Sequence, residues 1–193
     1  ELISAVLDEA GIDYHVRLLP WGRVKRQLDS GACEMAFQFV GTPERQAQYE
    51  LAGPIRSGST VFMTRQKNAL QDWQSLDDLQ PYVIGQVRGY AYESVFDPAG
   101  LSRDSSARTP RQLVSMLLAG RIDIIVGDRL QLQHYVHEQR AEADVRLLPK
   151  PLIEMPRYVA FKKGDTARAQ RFTTALQRLQ QNGRLNTILQ RWQ

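Results

Sequence analysis

Leu117-Leu118-Ala119-Gly120-Arg121-Ile122-Asp123-Ile124-Ile125-Val126-Gly127-Asp128 is the stretch from which the fold is read. Its first residues close a helix. Gly120 supplies the left-handed backbone on which helices commonly end. An acidic residue follows, and then Ile124-Ile125-Val126, an apolar run of buried-strand type. An echo stands earlier in the chain, where Leu28-x-x-Gly31-x-x-Glu34 precedes Met35-Ala36-Phe37. Any helix-to-strand turn can take this form. The other reading is two units of similar design, each with its own sheet.

Outward from these two points, helical and strand patterns alternate. Leu2, Ile3, Val6, Leu7 and Ala10 recur at helical spacing before Gly11, and residues 12–19 read as a strand. Pro20 starts a turn, Val24 and Leu28 mark a second helix stopped by Gly31, and Cys33–Val40 is strand-like. This alternation implies a parallel sheet. Thr60–Thr64 is β-rich and runs into the polar stretch Arg65–Asn68. Ser75-Leu76-Asp77-Asp78-Leu79 is a capped helical turn. Val83–Val87 is a strand, and Arg88-Gly89-Tyr90-Ala91 turns into the next helix. Thr109-Pro110 opens a helix with a cap and a first-turn proline. Asp128 can cap another through His137. Beyond Pro149, Pro151 and Pro156 lie a strand, Tyr158–Phe161, and a helix capped by Asp165 with Phe172, Leu176 and Leu179 on one face. After Gly183, Leu185, Ile188, Leu189 and Trp192 form a last apolar face.

Composition narrows the function classes. The 193 residues suit one large domain or two small lobes. Apolar residues make up 42% and charged residues 24%, as in an ordinary globular chain. The net charge of +4 is spread, and no run of like charge reaches five, so nucleic acid is not an expected partner. Cys33 stands alone, which excludes an intrachain disulfide and a cysteine metal site. No apolar stretch has the length of a membrane span. His134 and His137 share helical spacing, but no further ligand completes a metal site, and a solvated face is the alternative. No metal or other cofactor is expected. Nucleophile-elbow and phosphate-loop motifs are missing. Glu34 and Asp123 sit at strand starts, where structural roles fit better than acid–base work.

Five groups of residues carry a resemblance to a known family. They are Pro20-Trp21 with the helix to Gly31; Gly41-Thr42-Pro43-Glu44-Arg45; Leu76-Asp77-Asp78-Leu79 leading to Val83-Ile84-Gly85 and Gly89; Gly120-Arg121-Ile122-Asp123 leading to Gly127-Asp128; and Phe161-Lys162-Lys163-Gly164-Asp165 to Gly183 and Trp192. In this order and spacing they resemble the family 3 extracellular solute-binding proteins, the amino-acid-binding group of type II periplasmic binding proteins. The resemblance spans essentially the whole chain.

It implies an α/β, two-lobed type II periplasmic-binding-protein fold with a hinge and an interlobe ligand cleft. Lobe 1 would comprise residues 1–65 plus 157–193, and lobe 2 residues 66–156. The chain would cross near Arg65–Lys67 and Met155–Arg157. The family opens with a strand before its first helix, whereas Glu1 already stands in helix-like sequence. Lobe 1 is therefore expected to lack its usual first strand.

The resemblance also implies site residues. Arg45 would grip a ligand carboxylate, for which its guanidinium offers a planar fork near a helix N-terminus. Its alternative is a solvated arginine paired with Glu44 or Glu50. Asp128 would take an α-ammonium, or simply cap a helix. Trp21 would lie against the ligand side chain, or pack in the core. Gly89, Tyr90 and Ala91 would offer backbone N–H groups to the carboxylate. Tyr90 stands where the family has a small hydroxyl residue; with Tyr92 it could narrow the cleft or add an aromatic wall. Gln38 and Val40 replace small or hydroxyl residues before Thr42, and Val40 retains only its backbone for bonding.

The implied function is capture of an amino acid or similar small carboxylate by lobe closure in the periplasm, without catalysis. The implied partners are that small molecule and an ABC transporter permease. The alternatives are a sensor module coupled to a receptor signalling domain, in a histidine kinase or cyclic-di-nucleotide enzyme, and a dehydratase-like enzyme on the same fold.

Overall fold

A computed structural model describes residues 1–191; Trp192, expected on the last apolar face, lies outside the described residues. The chain forms two compact units, one from Glu1–Ser57 with the segment from Pro156 onward, the other from Gly58–Met155.

The first unit begins with α1 (Leu2–Glu9), α2 (Trp21–Ser30), β1 (Met35–Val40) and α3 (Pro43–Gln48). It takes the start of β2 (Tyr49–Arg65) and most of β7 (Ile153–Lys162), then closes with α6 (Thr166–Gln181) and α7 (Arg184–Gln190). β1 runs antiparallel to β7, from Met35 opposite Phe161 to Val40 opposite Arg157. β7 in turn neighbours β2. The helical spacing of Ile3, Val6 and Leu7 puts them on one face, and they pack with Phe172, Leu176 and Leu179 of α6 and Val159 and Phe161 of β7. A smaller cluster joins Leu28, Ala36, Phe39, Tyr49 and Ala160, with Trp21 and Val24 against it.

The second unit holds the rest of β2, β3 (Ile84–Gly85), β4 (Arg103–Asp104), α4 (Pro110–Leu118), β5 (Ile124–Asp128), α5 (Arg129–Glu138) and β6 (Val145–Leu147). β3 lies parallel to both β4 and β5. β2 runs antiparallel to β5, from Thr60 opposite Asp128 to Thr64 opposite Ile124, and antiparallel to β6. Leu113, Val114 and Leu117 of α4 pack with Val61, Met63, Ile125 and Leu132. A second cluster gathers Phe62, Trp73, Leu79, Tyr92, Phe96 and Leu148. The expected caps of α4, α5 and α6 form: Thr109, Asp128 and Asp165 accept the N–H groups of Gln112, Gln131 and Arg168.

Several expectations need correction. The sheet is mixed, because the returning strands β2 and β7 enter antiparallel. β2 and β7 each contribute residues to both units, in a strand order β1-β7-β2-β5-β3-β4. The compact units divide at Ser57/Gly58, and Thr60–Thr64 is paired to β5.

Residues 12–19 form no strand. Their alternating Tyr14, Val16 and Leu18 are exposed, and among the described residues no strand pairs with them. Residues 91–100 form no helix either. The Glu93 carboxylate accepts the N–H groups of Val95 and Phe96, and Asp97 accepts that of Tyr92. These side chains offer the backbone a tight turn in place of a helix.

Candidate functional site

In the first unit, the candidates gather at the end of β1 and the start of the helix after it. Gln38 takes a left-handed φ of 68°, and the β1–β7 register slips between Phe37 and Phe39. This is a bulge, a device that re-aims side chains where pairing ends. The Gln38 Oε1 accepts from Arg56 Nε at 3.1 Å and Nη2 at 2.8 Å.

Thr42 caps α3, its hydroxyl accepting the Arg45 N–H at 3.4 Å. The Arg45 side chain folds back along the strand. Nη1 donates to the Val40 carbonyl at 3.3 Å, and Cζ lies 5.4 Å from the ring centroids of both Trp21 and Phe39. Those two rings are 4.8 Å apart and tilted by 57°. Trp21 therefore packs on Phe39 and lies against the Arg45 guanidinium.

The ion-pair alternative for Arg45 loses one partner, because Glu50 bonds instead to Lys163 Nζ at 3.4 Å and to the Gly164 N–H. The Glu44 carboxyl is held below its usual range, mainly by its own backbone N–H and the Thr42 hydroxyl, with the Arg45 charge a lesser cause. The expected dipole contribution is small, since α3 has only six residues.

In the second unit, Gly89, Tyr90 and Ala91 follow β3 while Asp128 ends β5. The two strands are parallel neighbours, so these residues share the carboxyl edge of the sheet, where open α/β sheets bind ligands. The Tyr90 N–H donates to the Val87 carbonyl at 3.1 Å, closing a turn in which Gly89 has a φ of 77°. That value at the third turn position suits glycine. Arg88 and Tyr92 N–H groups go to the Ala107 carbonyl and the Asp97 carboxylate. The N–H groups of Gly89 and Ala91 donate to no group among the described residues.

Asp128 accepts the Gln131 N–H with Oδ1 at 3.3 Å, so it caps α5. Tyr92 departs from the expected aromatic wall. It is 4% exposed and belongs to the apolar cluster beneath the turn. Tyr90 is half-buried, its ring 6.0 Å from that of Tyr92.

Sequence reasoning missed the groups that hold these turns, Arg56 beneath Gln38 and Tyr92 and Arg103 beneath Gly89. Arg56 lies eighteen residues from Gln38, and Tyr92 bonds the Val87 N–H from five residues on; neither separation is a motif spacing. Only the side-chain contacts disclose them.

The arrangement is an α/β sheet fold with backbone donors and guanidinium groups near strand ends, the class of the type II periplasmic binding proteins. The profile of the bacterial extracellular solute-binding proteins, family 3, matches residues 1–193, and the chain belongs to that family. It is similar to an amino-acid-binding protein, AabA, of Dichelobacter nodosus, with 21% identity over all of this chain and 77% of that one. Among solved structures it resembles the substrate binding protein of an amino acid ABC transporter, with a TM-score of 0.86 and 17% identity over 99% of this chain and 84% of that one. A histidine kinase sensor domain gives a TM-score of 0.87 and 19% identity over 99% and 83%. No helix among the described residues is long and apolar enough to cross a membrane.

Proposed function

We propose that this chain captures an amino acid or a similar small carboxylate in the periplasm and delivers it to an ABC importer. Arg45 takes the carboxylate in two charge-assisted hydrogen bonds. The Gly89 and Ala91 N–H groups take the same carboxylate, forming a small anion nest. Asp128, at the end of β5, takes the α-ammonium. Trp21 and Tyr90 border the ligand side chain, while Gln38, Val40 and Thr42 fix the strand end that carries Arg45. Because one ligand engages residues of both units, it favours the closed arrangement in which all of them bond at once. The ligand leaves chemically unchanged.

The observation that carries this reading is the seating of Arg45, whose guanidinium is restrained by the Val40 carbonyl and two aromatic rings. A cation held in place loses little freedom on binding, which favours affinity. Calorimetry against the twenty standard L-amino acids tests it. Arg45→Ala is expected to lose tens- to thousands-fold in affinity, about 2–5 kcal/mol. Arg45→Lys recovers part of this, because a point charge lacks the fork. Equal affinity in all three proteins removes Arg45 from the site, and a ligand altered after incubation identifies an enzyme.

The likeness to a histidine kinase sensor domain favours a second reading, a ligand-sensing module with the same binding chemistry. Uptake of labelled amino acid by cells with and without the gene separates the two. Loss of uptake supports transport, and unchanged uptake supports sensing.

A further inference from the structure

We infer that Tyr92 is a positioning residue for the Val87–Ala91 turn, and that Arg103 braces it, so that the Gly89 and Ala91 N–H groups are held in place for a carboxylate. This rests on the carboxylate role proposed above.

The backbone of residues 84–88 explains how. The N–H groups of Ile84, Gln86 and Arg88 donate to the carbonyls of Ser102, Asp104 and Ala107, on the β4 side. Alternate residues of a strand face opposite neighbours, so the Val87 N–H points toward the β5 side. Pairing with β5 reaches Gly85 opposite Ile125. At Val87 the acceptor is instead the Tyr92 hydroxyl, at 2.9 Å in a buried setting. The tyrosine thus replaces a ladder carbonyl where the strand leaves the sheet. It closes a loop from residue 87 to residue 92 around the two unused donors.

Tyr92 is itself held. Its N–H goes to both Asp97 oxygens, at 3.0 and 3.3 Å, and its ring lies 6.1 Å from Phe96. Arg103 stacks 4.1 Å over Phe96. Its Nη2 donates to the Phe96 carbonyl and to the Ala99 carbonyl at 3.2 Å, and its Nη1 to Gln86 Oε1 at 2.9 Å. Burial pushes the Tyr92 hydroxyl far up from its ordinary pKa, so it stays neutral at working pH. A hydroxyl buried for packing alone would be replaceable by phenylalanine, whereas this one accepts a backbone N–H that has no ladder partner.

The test uses the whole chain with Tyr92→Phe and Arg103→Lys. Amide exchange is followed by mass spectrometry without ligand. Affinity is measured for the tightest binder among the twenty standard L-amino acids and for its α-carboxamide. In Tyr92→Phe, exchange at residues 87–91 accelerates about tenfold or more while α4 and α5 are unchanged, as expected for a buried N–H left without its acceptor. The preference for acid over amide narrows about tenfold, and Arg103→Lys gives a smaller change of the same kind. Unchanged exchange at residues 87–91 overturns the positioning role. Faster exchange with an unchanged acid-to-amide ratio, even with a lower melting temperature, shows a merely structural tyrosine and also overturns it. If wild type binds no amino acid, the proposed function fails, and the carboxylate purpose of the turn fails with it.

Discussion

The strand β2 ties down a helix end at each of its own ends, and it does so by different chemistry. In the first unit its first residue, Tyr49, donates a 2.6 Å hydrogen bond to Asp29, in the last turn of α2 beside Gly31. In the second unit its last residue, Arg65, donates from Nη1 to the carbonyls of Leu117 and Ile122, both at 2.8 Å, around Gly120. The two glycine junctions share backbone geometry, with φ of 78° and 72°. Leu28 and Leu117 are both fully buried. What differs is the last link. One junction is held side chain to side chain, whereas in the other a cation bonds one carbonyl in the last turn of α4, that of Leu117, and one beyond the glycine, that of Ile122; a cation at a helix C-terminus is also favoured by the helix dipole. Sequence echo fixes the turn; the partners that hold it are set by tertiary contact.

The largest expected effect breaks the second junction. Arg65→Ala removes the charged donor shared by the Leu117 and Ile122 carbonyls, the first of which keeps the Gly120 N–H, and is expected to cost about 2–4 kcal/mol. Urea unfolding should show a lower midpoint at an unchanged slope. Amide exchange should accelerate first in α4 and β5. An effect below about 1 kcal/mol would mean that water satisfies these carbonyls, and the two junctions would then be equivalent.

The same contrast shows how far the sequence could be read. Helix starts were legible because Thr42, Thr109, Asp128 and Asp165 act on amides three residues away. Strands β1 and β5 were legible as apolar runs beyond a glycine. Residues 12–19 and Val83–Val87 both looked like strands, yet only Ile84–Gly85 is one, because it alone has neighbours on both sides. Periodicity reports a capacity to pair, not a partner. Candidate site residues were legible where they lay at strand ends within a motif. Gln38's left-handed backbone and the tyrosine under Gly89 were not, since each depends on a group from another segment, Arg56 for the one and the Val87 N–H for the other.

A smaller effect sharpens the first junction through pH. Burial, then the hydrogen bond to Asp29, raises the Tyr49 pKa to about 12. The unfolded phenol titrates near 10. A folded-state pKa above the unfolded value means that this contribution is complete below pH 10 and is lost as pH rises toward 12. Tyr49→Phe is therefore expected to lose about 1 kcal/mol at neutral pH, from the hydrogen bond alone, and to flatten the fall in stability between pH 10 and 12. A wild-type profile that stays level across that window would place Tyr49 outside the stability balance of the first unit.

The smallest effect separates the two acidic residues of the echo. Asp123 accepts the Val83 N–H with Oδ2 at 3.0 Å and lies 3.8 Å from Arg65 Nη2, so it joins β3 to the junction. Glu34 reaches Arg168 at 3.0 Å, but its side chain is 69% exposed. An exposed ion pair is screened and must immobilise two long side chains, which leaves it worth no more than about 0.5 kcal/mol. Glu34→Ala should accordingly unfold within about 0.5 kcal/mol of wild type at low salt, and indistinguishably from it at 1 M salt, where charges beyond about 3 Å no longer interact. Asp123→Ala removes the acceptor of the solvent-accessible Val83 N–H and should cost about 0.5–1.5 kcal/mol with little dependence on salt. Equal costs for the two substitutions would show that the acidic position serves both units alike. A salt-dependent Asp123→Ala would assign its role to the Arg65 charge and not to the strand amide.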